Sequence, residues 1–315
     1  MKTQLFSLVA ALALSIPAAH AARMAVPGTI NYAEGEVTLD GAPVGTHQSG
    51  DLAMSAGQVL STTHGKAEVL LSPGAYLRMG DNSSVRMVAP GLSDPRVEVL
   101  KGEAMLEVDY KPKQAGLDVM THGADAQILK EGIYRFDADR GIAAVIDGKE
   151  AVALNGKSKE IGKGKELMLN GEPLKSVSFD RKTEDDLYRW SDVRSSYLAE
   201  VNAASARTVY VNGGWGMGYG PGWFWNPWFS SYAWLPGDGY FYGPFGYPFF
   251  SVGYAAYAPY FGFYGRGGYY RRAPGLRAGG IPRSSAFVGG SRGAVGGGFR
   301  GGFAGGGFHG GGARR

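Results

Sequence analysis

Short runs of alternating polar and apolar residues, each closed by a turn signal, fill the chain from about Asn31 to Glu172 and restrict that stretch to strands. Lys66-Ala67-Glu68-Val69-Leu70-Leu71, Ala75-Tyr76-Leu77-Arg78-Met79 and Ser84-Val85-Arg86-Met87-Val88 follow one another. Arg96-Val97-Glu98-Val99-Leu100, residues 104–108, Ile133-Tyr134-Arg135-Phe136 and residues 142–146 continue the series. A period of two sends alternate side chains to opposite faces, one buried and one wet. Between the runs stand Ser72-Pro73-Gly74, Gly80-Asp81-Asn82, Lys101-Gly102, Asp147-Gly148, Asn155-Gly156 and Asn170-Gly171, residues that accept tight or left-handed turns. Many short strands at this spacing predict a mainly β domain, as a sandwich, a barrel or a stacked solenoid. No strict repeat chooses among them.

One amphipathic helix is expected next, over residues 181–204. Thr183-Glu184-Asp185-Asp186 has the [ST]-x-x-[DE] start pattern, with acids where the helix dipole favours them. Leu187, Trp190, Tyr197, Leu198 and Val201 recur at spacings compatible with one face. That face is expected to close one end of the β domain, with a partner-binding role for Trp190 as the sharper alternative.

From residue 205 the composition changes. Residues 205–315 hold 29 of the 39 aromatic residues, 32 of the 52 glycines, ten arginines, no lysine and one acid, Asp238. Glycine loses the most backbone freedom on ordering, and few aliphatic side chains are present to offset that loss. A largely irregular tail is therefore expected, in two zones. Residues 205–265 run in Gly-Pro-aromatic steps that carry Trp223, Trp225, Trp228 and Trp234; residues 266–315 are arginine-glycine, with Arg271, Arg272 and Arg300. The prolines oppose a membrane helix, which leaves an interfacial or self-associating segment, or one that folds back onto the β domain. These four tryptophans, Trp190 and the three arginines are the candidate interaction residues.

The first 21 residues read as a secretion signal. Lys2 leads an apolar stretch over 5–19, and Ala19-His20-Ala21 is an A-x-A site, so cleavage is expected after Ala21; an uncleaved anchor is the alternative. The chain has no cysteine, so neither disulfides nor thiolate metal sites can stabilise it. Residues 22–204 carry 21 basic and 27 acidic residues, whereas the tail carries ten arginines against one aspartate. A tail of that charge is drawn to anionic surfaces or polysaccharide.

The β stretch, in order over roughly residues 35–171, resembles the periplasmic domain of the FecR family, named for the iron-dicitrate transport regulator. Gly57-Gln58-Val59-Leu60-Ser61-Thr62 is similar to its G-D-x-L-x-T element. Gly65-Lys66-Ala67-Glu68-Val69-Leu70-Leu71-Ser72-Pro73-Gly74 is similar to its G-x-A-x-L-x-L-x-D-G strand pair. Leu100-Lys101-Gly102-Glu103, Val119-Met120-Thr121, Glu131-Gly132-Ile133-Tyr134-Arg135-Phe136 and Asp147-Gly148-Lys149-Glu150-Ala151-Val152 follow the later steps. Gln58, Pro73 and Ile133 stand where the family has an acid, an aspartate and a threonine. The resemblance implies a β-solenoid-like or sandwich-like exported domain, assigned to residues 22–180, that recognises protein rather than catalysing. In the family, signalling uses a cytoplasmic segment acting on a sigma factor, for which residues 1–4 leave no room.

Catalytic signals are absent from the sequence: there is no G-x-S-x-G elbow and no cysteine nucleophile, and the histidines are scattered. Gly162-Lys163-Gly164-Lys165-Glu166 lacks phosphate-loop spacing and reads as a hairpin turn. Asp185-Asp186 reads as a helix start, and Asp137 with Asp139 as a solvated turn. The expectation is a non-enzymatic envelope scaffold without cofactor or nucleic acid, which binds an envelope protein and possesses a tail for surface association. A matrix or adhesin component assembling through the tail, a regulator in FecR-type signalling, and a carbohydrate-active enzyme with a tail sugar platform are the rivals.

Overall fold

The computed structural model describes residues 25–171, 174–181, 184–213 and 222–257. The signal, Thr183 and the arginine-glycine zone, with Arg271, Arg272 and Arg300, lie outside these residues. The strands are β1 (Ile30–Leu39), β2 (Ala42–Pro43), β3 (Val59–Ser72), β4 (Ala75–Met79), β5 (Ser84–Ala89), β6 (Arg96–Lys101) and β7 (Glu103–Val108). There follow β8 (Asp118–Thr121), β9 (Ala124–Ile128), β10 (Gly132–Asp137), β11 (Ile142–Asp147), β12 (Lys149–Leu154), β13 (Lys157–Gly162), β14 (Lys165–Met168) and β15 (Lys175–Ser178). Every alternating run of the sequence falls within one of them. The turn signals act as expected. At Asn155-Gly156 both residues have positive φ, 50° and 74°, which the β12–β13 hairpin needs to match the strand twist.

All fifteen strands belong to one sheet, and the long strand β3 folds it into two leaves. Along one edge β3 pairs with β1. Along the other its first residues pair with β5 and its last with β4, so the strands beyond diverge. One leaf runs β5-β6-β8-β9-β12-β13 and the other β4-β7-β10-β11-β14-β15. Inward side chains of both leaves meet in one core, which includes Val69, Leu77, Leu106 and Phe136 from one side and Val85, Val97, Val119 and Val152 from the other. The fold is sandwich-like, not a solenoid.

The helix α1 (Asp186–Val211) starts later and ends later than its pattern predicts. Its N-cap is Asp185, whose Oδ1 accepts the Tyr188 N–H at 2.7 Å. It continues past residue 204 because its last turns are buried: Ala206 packs with Leu235, Val252 and Ala255. It also lies across the outer face of the β4 leaf instead of closing an end, with Leu187 and Trp190 packed on Met105, Ile133 and Ile146.

Residues 222–257 follow the alternative in which the segment folds back onto the β domain. They form hairpin β16 (Gly222–Asn226) with β17 (Ser231–Leu235), hairpin β18 (Tyr240–Tyr242) with β19 (Pro248–Phe250), and a 3-10 helix (Val252–Tyr257). Aromatic burial offsets the cost of ordering the glycines. Trp234 packs between Tyr110, with ring centroids 5.4 Å apart, and Phe249.

Candidate interaction surface

The outward positions of β3, β4, β7 and β10 form two rows across the sheet. The register gives Leu70–Tyr76–Glu107–Ile133 in one row and Glu68–Arg78–Met105–Arg135 in the next. Each strand contributes one apolar and one charged side chain. Helix α1 and the two hairpins cover this face, and Glu68, Arg78 and Glu107 are fully buried.

Burial forces these charges into a closed network. Arg78 donates from Nε to Glu68 Oε2 at 2.9 Å and from Nη1 to Glu107 Oε2 at 2.6 Å. From α1, Arg194 Nη2 donates to Glu68 Oε1 at 2.8 Å and Ser195 Oγ to Glu107 Oε1 at 2.6 Å. The Arg194 guanidinium also lies over the rings of Tyr32 and Tyr197, at 4.3 and 4.9 Å. Burial would raise the Glu68 carboxyl, but Arg194 and Arg78 overcome it and hold the group at about 2. Asp109 has no such cation in contact, and burial together with Glu107 pushes it well above the usual carboxylate range.

Two asparagines fasten the hairpins to this base. Asn31 on β1 accepts the Tyr232 N–H at 2.8 Å and donates to the Tyr232 carbonyl at 3.1 Å, in the manner of a neighbouring strand. Asn202 on α1 does the same for β19: it accepts the Phe250 N–H at 2.7 Å and donates to the carbonyls of Phe250 and Trp234. Neither residue stands out in a hydrophobic pattern, which is why sequence reasoning missed both.

The candidate aromatics now separate. Trp190 and Trp234 are 8% and 1% exposed and belong to cores, so neither presents its ring to a partner. Trp223 and Trp225 are half-buried on β16, and Trp225 packs on Tyr232 with centroids 5.0 Å apart. Trp228 projects from the turn between β16 and β17, 82% exposed. Tyr242 (58%) and Tyr240 on the second hairpin and Tyr254 on the 3-10 helix, which sequence reasoning did not single out, form an exposed tyrosine group, with Tyr240 about 6 Å from each of the others.

The seat of Trp225 gives a direct test. Gly50 has φ +85°, and a Cβ there would come within 2.3 Å of the Trp225 ring. Gly50→Ala is expected to displace that ring and add left-handed strain of roughly 1–2 kcal/mol. A change in tryptophan emission accompanied by a lower Tm checks it; an unchanged spectrum would mean the ring does not sit there.

A cavity of about 390 Å³ at the start of α1 is lined by Asp81, Glu103, Asp137, Asp139, Asp185 and Asp186, with Lys66 and Arg140. Its acids have structural work. Asp137 accepts the Arg140 N–H, Asp139 the Gly102 N–H, Asp185 caps α1 and pairs with Arg135, and Asp186 pairs with Lys66. Among the described residues no group of His, Cys, Asp and Glu is placed to hold a metal ion, and no helix is long and apolar enough to cross a membrane.

The strand order and turns of the two leaves can now be set beside known proteins. Residues 57–149 match the family model described as FecR protein. Over this stretch, the FecR segment, the chain is similar to that family. It begins just before β3 and ends at the first residue of β12, narrower than the 35–171 span of the motif resemblance. It includes Glu68, Arg78 and Glu107, while α1 and the hairpins lie beyond it. Two crystal structures of a candidate anti-sigma factor from Parabacteroides distasonis ATCC 8503 are 17% and 18% identical to the chain, each with a TM-score of 0.35. The match covers 39% of this chain and 61% of that one, so the chain spans about three-fifths of their length. No curated protein matches the chain.

Proposed function

We propose that the protein is a non-catalytic binding protein of the cell envelope, exported and cleaved after Ala21. Its FecR segment serves as a rigid head, and the hairpins present aromatic side chains to an envelope protein. Trp228 carries this reading: a large ring stands in solvent at the turn of a hairpin that Asn31 pins close by, at Tyr232. The turn backbone is held, with the Trp228 N–H donating to Asn226 Oδ1 at 3.1 Å, and exposed tryptophans on such turns are frequent binding anchors. In this reading Arg271, Arg272 and Arg300 add attraction to anionic surfaces or polysaccharide, and no cofactor or nucleic acid takes part. Self-association through the same rings is the scaffold variant.

Trp228→Ala is expected to leave stability within about 0.5 kcal/mol, because the ring is exposed. It should lower capture of a specific envelope protein about tenfold in affinity isolation from membrane fractions. Identical capture by both proteins would remove the role. A second reading, regulation within FecR-type envelope signalling, is favoured by the FecR match itself. An adjacent sigma-factor gene whose output changes when this gene is deleted would select it.

A further inference from the structure

The face beneath α1 has the wrong composition for a permanent interior. A sheet face that never meets water is normally apolar, whereas one exposed to solvent alternates with polar residues. Here each of four strands offers one charged side chain, and Glu68, Arg78 and Glu107 are nonetheless completely buried. Replacing such a network by apolar residues is often neutral or stabilising, so stability alone does not account for it. A face that is covered in one state and open in another must keep charges to remain soluble.

The covering layer has the character of a docked partner. Neither hairpin joins the fifteen-stranded sheet. The bonds described above that join the layer to the FecR segment and β1 run through side chains: Arg194, Ser195, Asn31, Asp185 and Asp186. The fit is also incomplete, since Arg78 Nη2, Arg194 Nε, Trp190 Nε1 and Ser191 Oγ are buried without a protein partner. Interfaces between separable units are polar in this way.

We propose that α1 and the two hairpins form a releasable cap, and that the face beneath it docks a helix from another protein presenting an arginine to Glu68 and an adjacent hydroxyl to Glu107. The occupant's chemistry is read from α1, where Arg194 and Ser195 fill those two places and Leu187 and Trp190 fill the apolar ones. This goes beyond the reading above, which concerns rings on the outer side of the cap, so either can fail alone.

The test uses the full-length protein and a labelled synthetic peptide of residues 184–213. Arg194→Ala in the protein removes the bond that joins α1 to Glu68 and loosens the cap without altering the sheet face. The peptide should bind the Arg194→Ala protein at least tenfold more tightly than the unaltered protein. A peptide with Arg194→Ala should lose about tenfold of that affinity. Equal, weak binding to both proteins would overturn the proposal. Hydrogen exchange on the unaltered protein keeps the question open to decision if the variant fails to fold. Release predicts that α1 amides exchange through an opening that leaves β3 and β7 protected; exchange of all three through one common opening contradicts it.

Discussion

Replacing Glu150 by methionine is expected to raise stability at pH 8 by about 3 kcal/mol, or roughly 10 °C in Tm for a domain of this size. Glu150 points inward on β12 beside Val152 and Leu154, opposite Ile128 and Ile161 in register, with 0% exposure. Neither carboxyl oxygen has a hydrogen-bond partner, and burial pushes its pKa up to about 8. The nearby Tyr134 hydroxyl donates to the Lys130 carbonyl and offers no cation. The folded state therefore holds the neutral acid, while the unfolded chain ionises near 4.5. The contribution of this group is at its fullest below pH 4.5 and falls as pH rises towards 8, by about 5 kcal/mol over the window. Methionine has no charge to desolvate, so the alkaline fall should largely vanish. Urea unfolding of both proteins between pH 4.5 and 8.5 checks this, and parallel curves would refute it.

Arg78→Met should act in the opposite direction, costing about 3–5 kcal/mol at pH 7, because Glu68 and Glu107 then face each other in a buried site. The same network sets the acid limb. With Glu68 held at about 2 in the folded state against 4.5 when free, its contribution is complete above pH 4.5 and is lost as pH falls towards 2. That limb amounts to about 3 kcal/mol. Losing Arg78 should raise the Glu68 pKa and move acid unfolding to higher pH. The two carboxyls together place the stability maximum near pH 4.5–5, at the acid end of the usual range. Acid titration followed by far-UV circular dichroism should show the shifted midpoint; an unshifted one would mean Arg78 does not neutralise Glu68.

The strands were legible because period two is a local signal: β4 to β7, β10 and β11 lie where the alternation puts them. The site was harder to read. Glu68, Arg78 and Glu107 sit at the polar positions of their strands, which in isolation means solvent, and only the arrival of α1 makes them interior. The helix boundary at residue 204 followed a change in composition, but Ala206 is held by Leu235 and Val252, which lie far along the chain. Glycine content likewise suggested an irregular 222–257. It could not register that Asn31 and Asn202 supply strand-like hydrogen bonds from outside the hairpins. Burial decided which tryptophans were available. The four candidates in the aromatic zone looked alike, and among them the structure leaves Trp228 as the freely exposed ring.

The account depends on the aromatic hairpins being folded against the sandwich, and a cysteine pair tests that most directly because the natural chain has none. A Cβ on Gly243 would lie 3.3 Å from Asp109 Cγ, far away in sequence. With Asp109→Cys and Gly243→Cys together in the full-length protein, mild oxidation at low concentration should give a rapid intramolecular disulfide and a faster-migrating monomer. Thiols that stay free, or that join only different molecules, would contradict it.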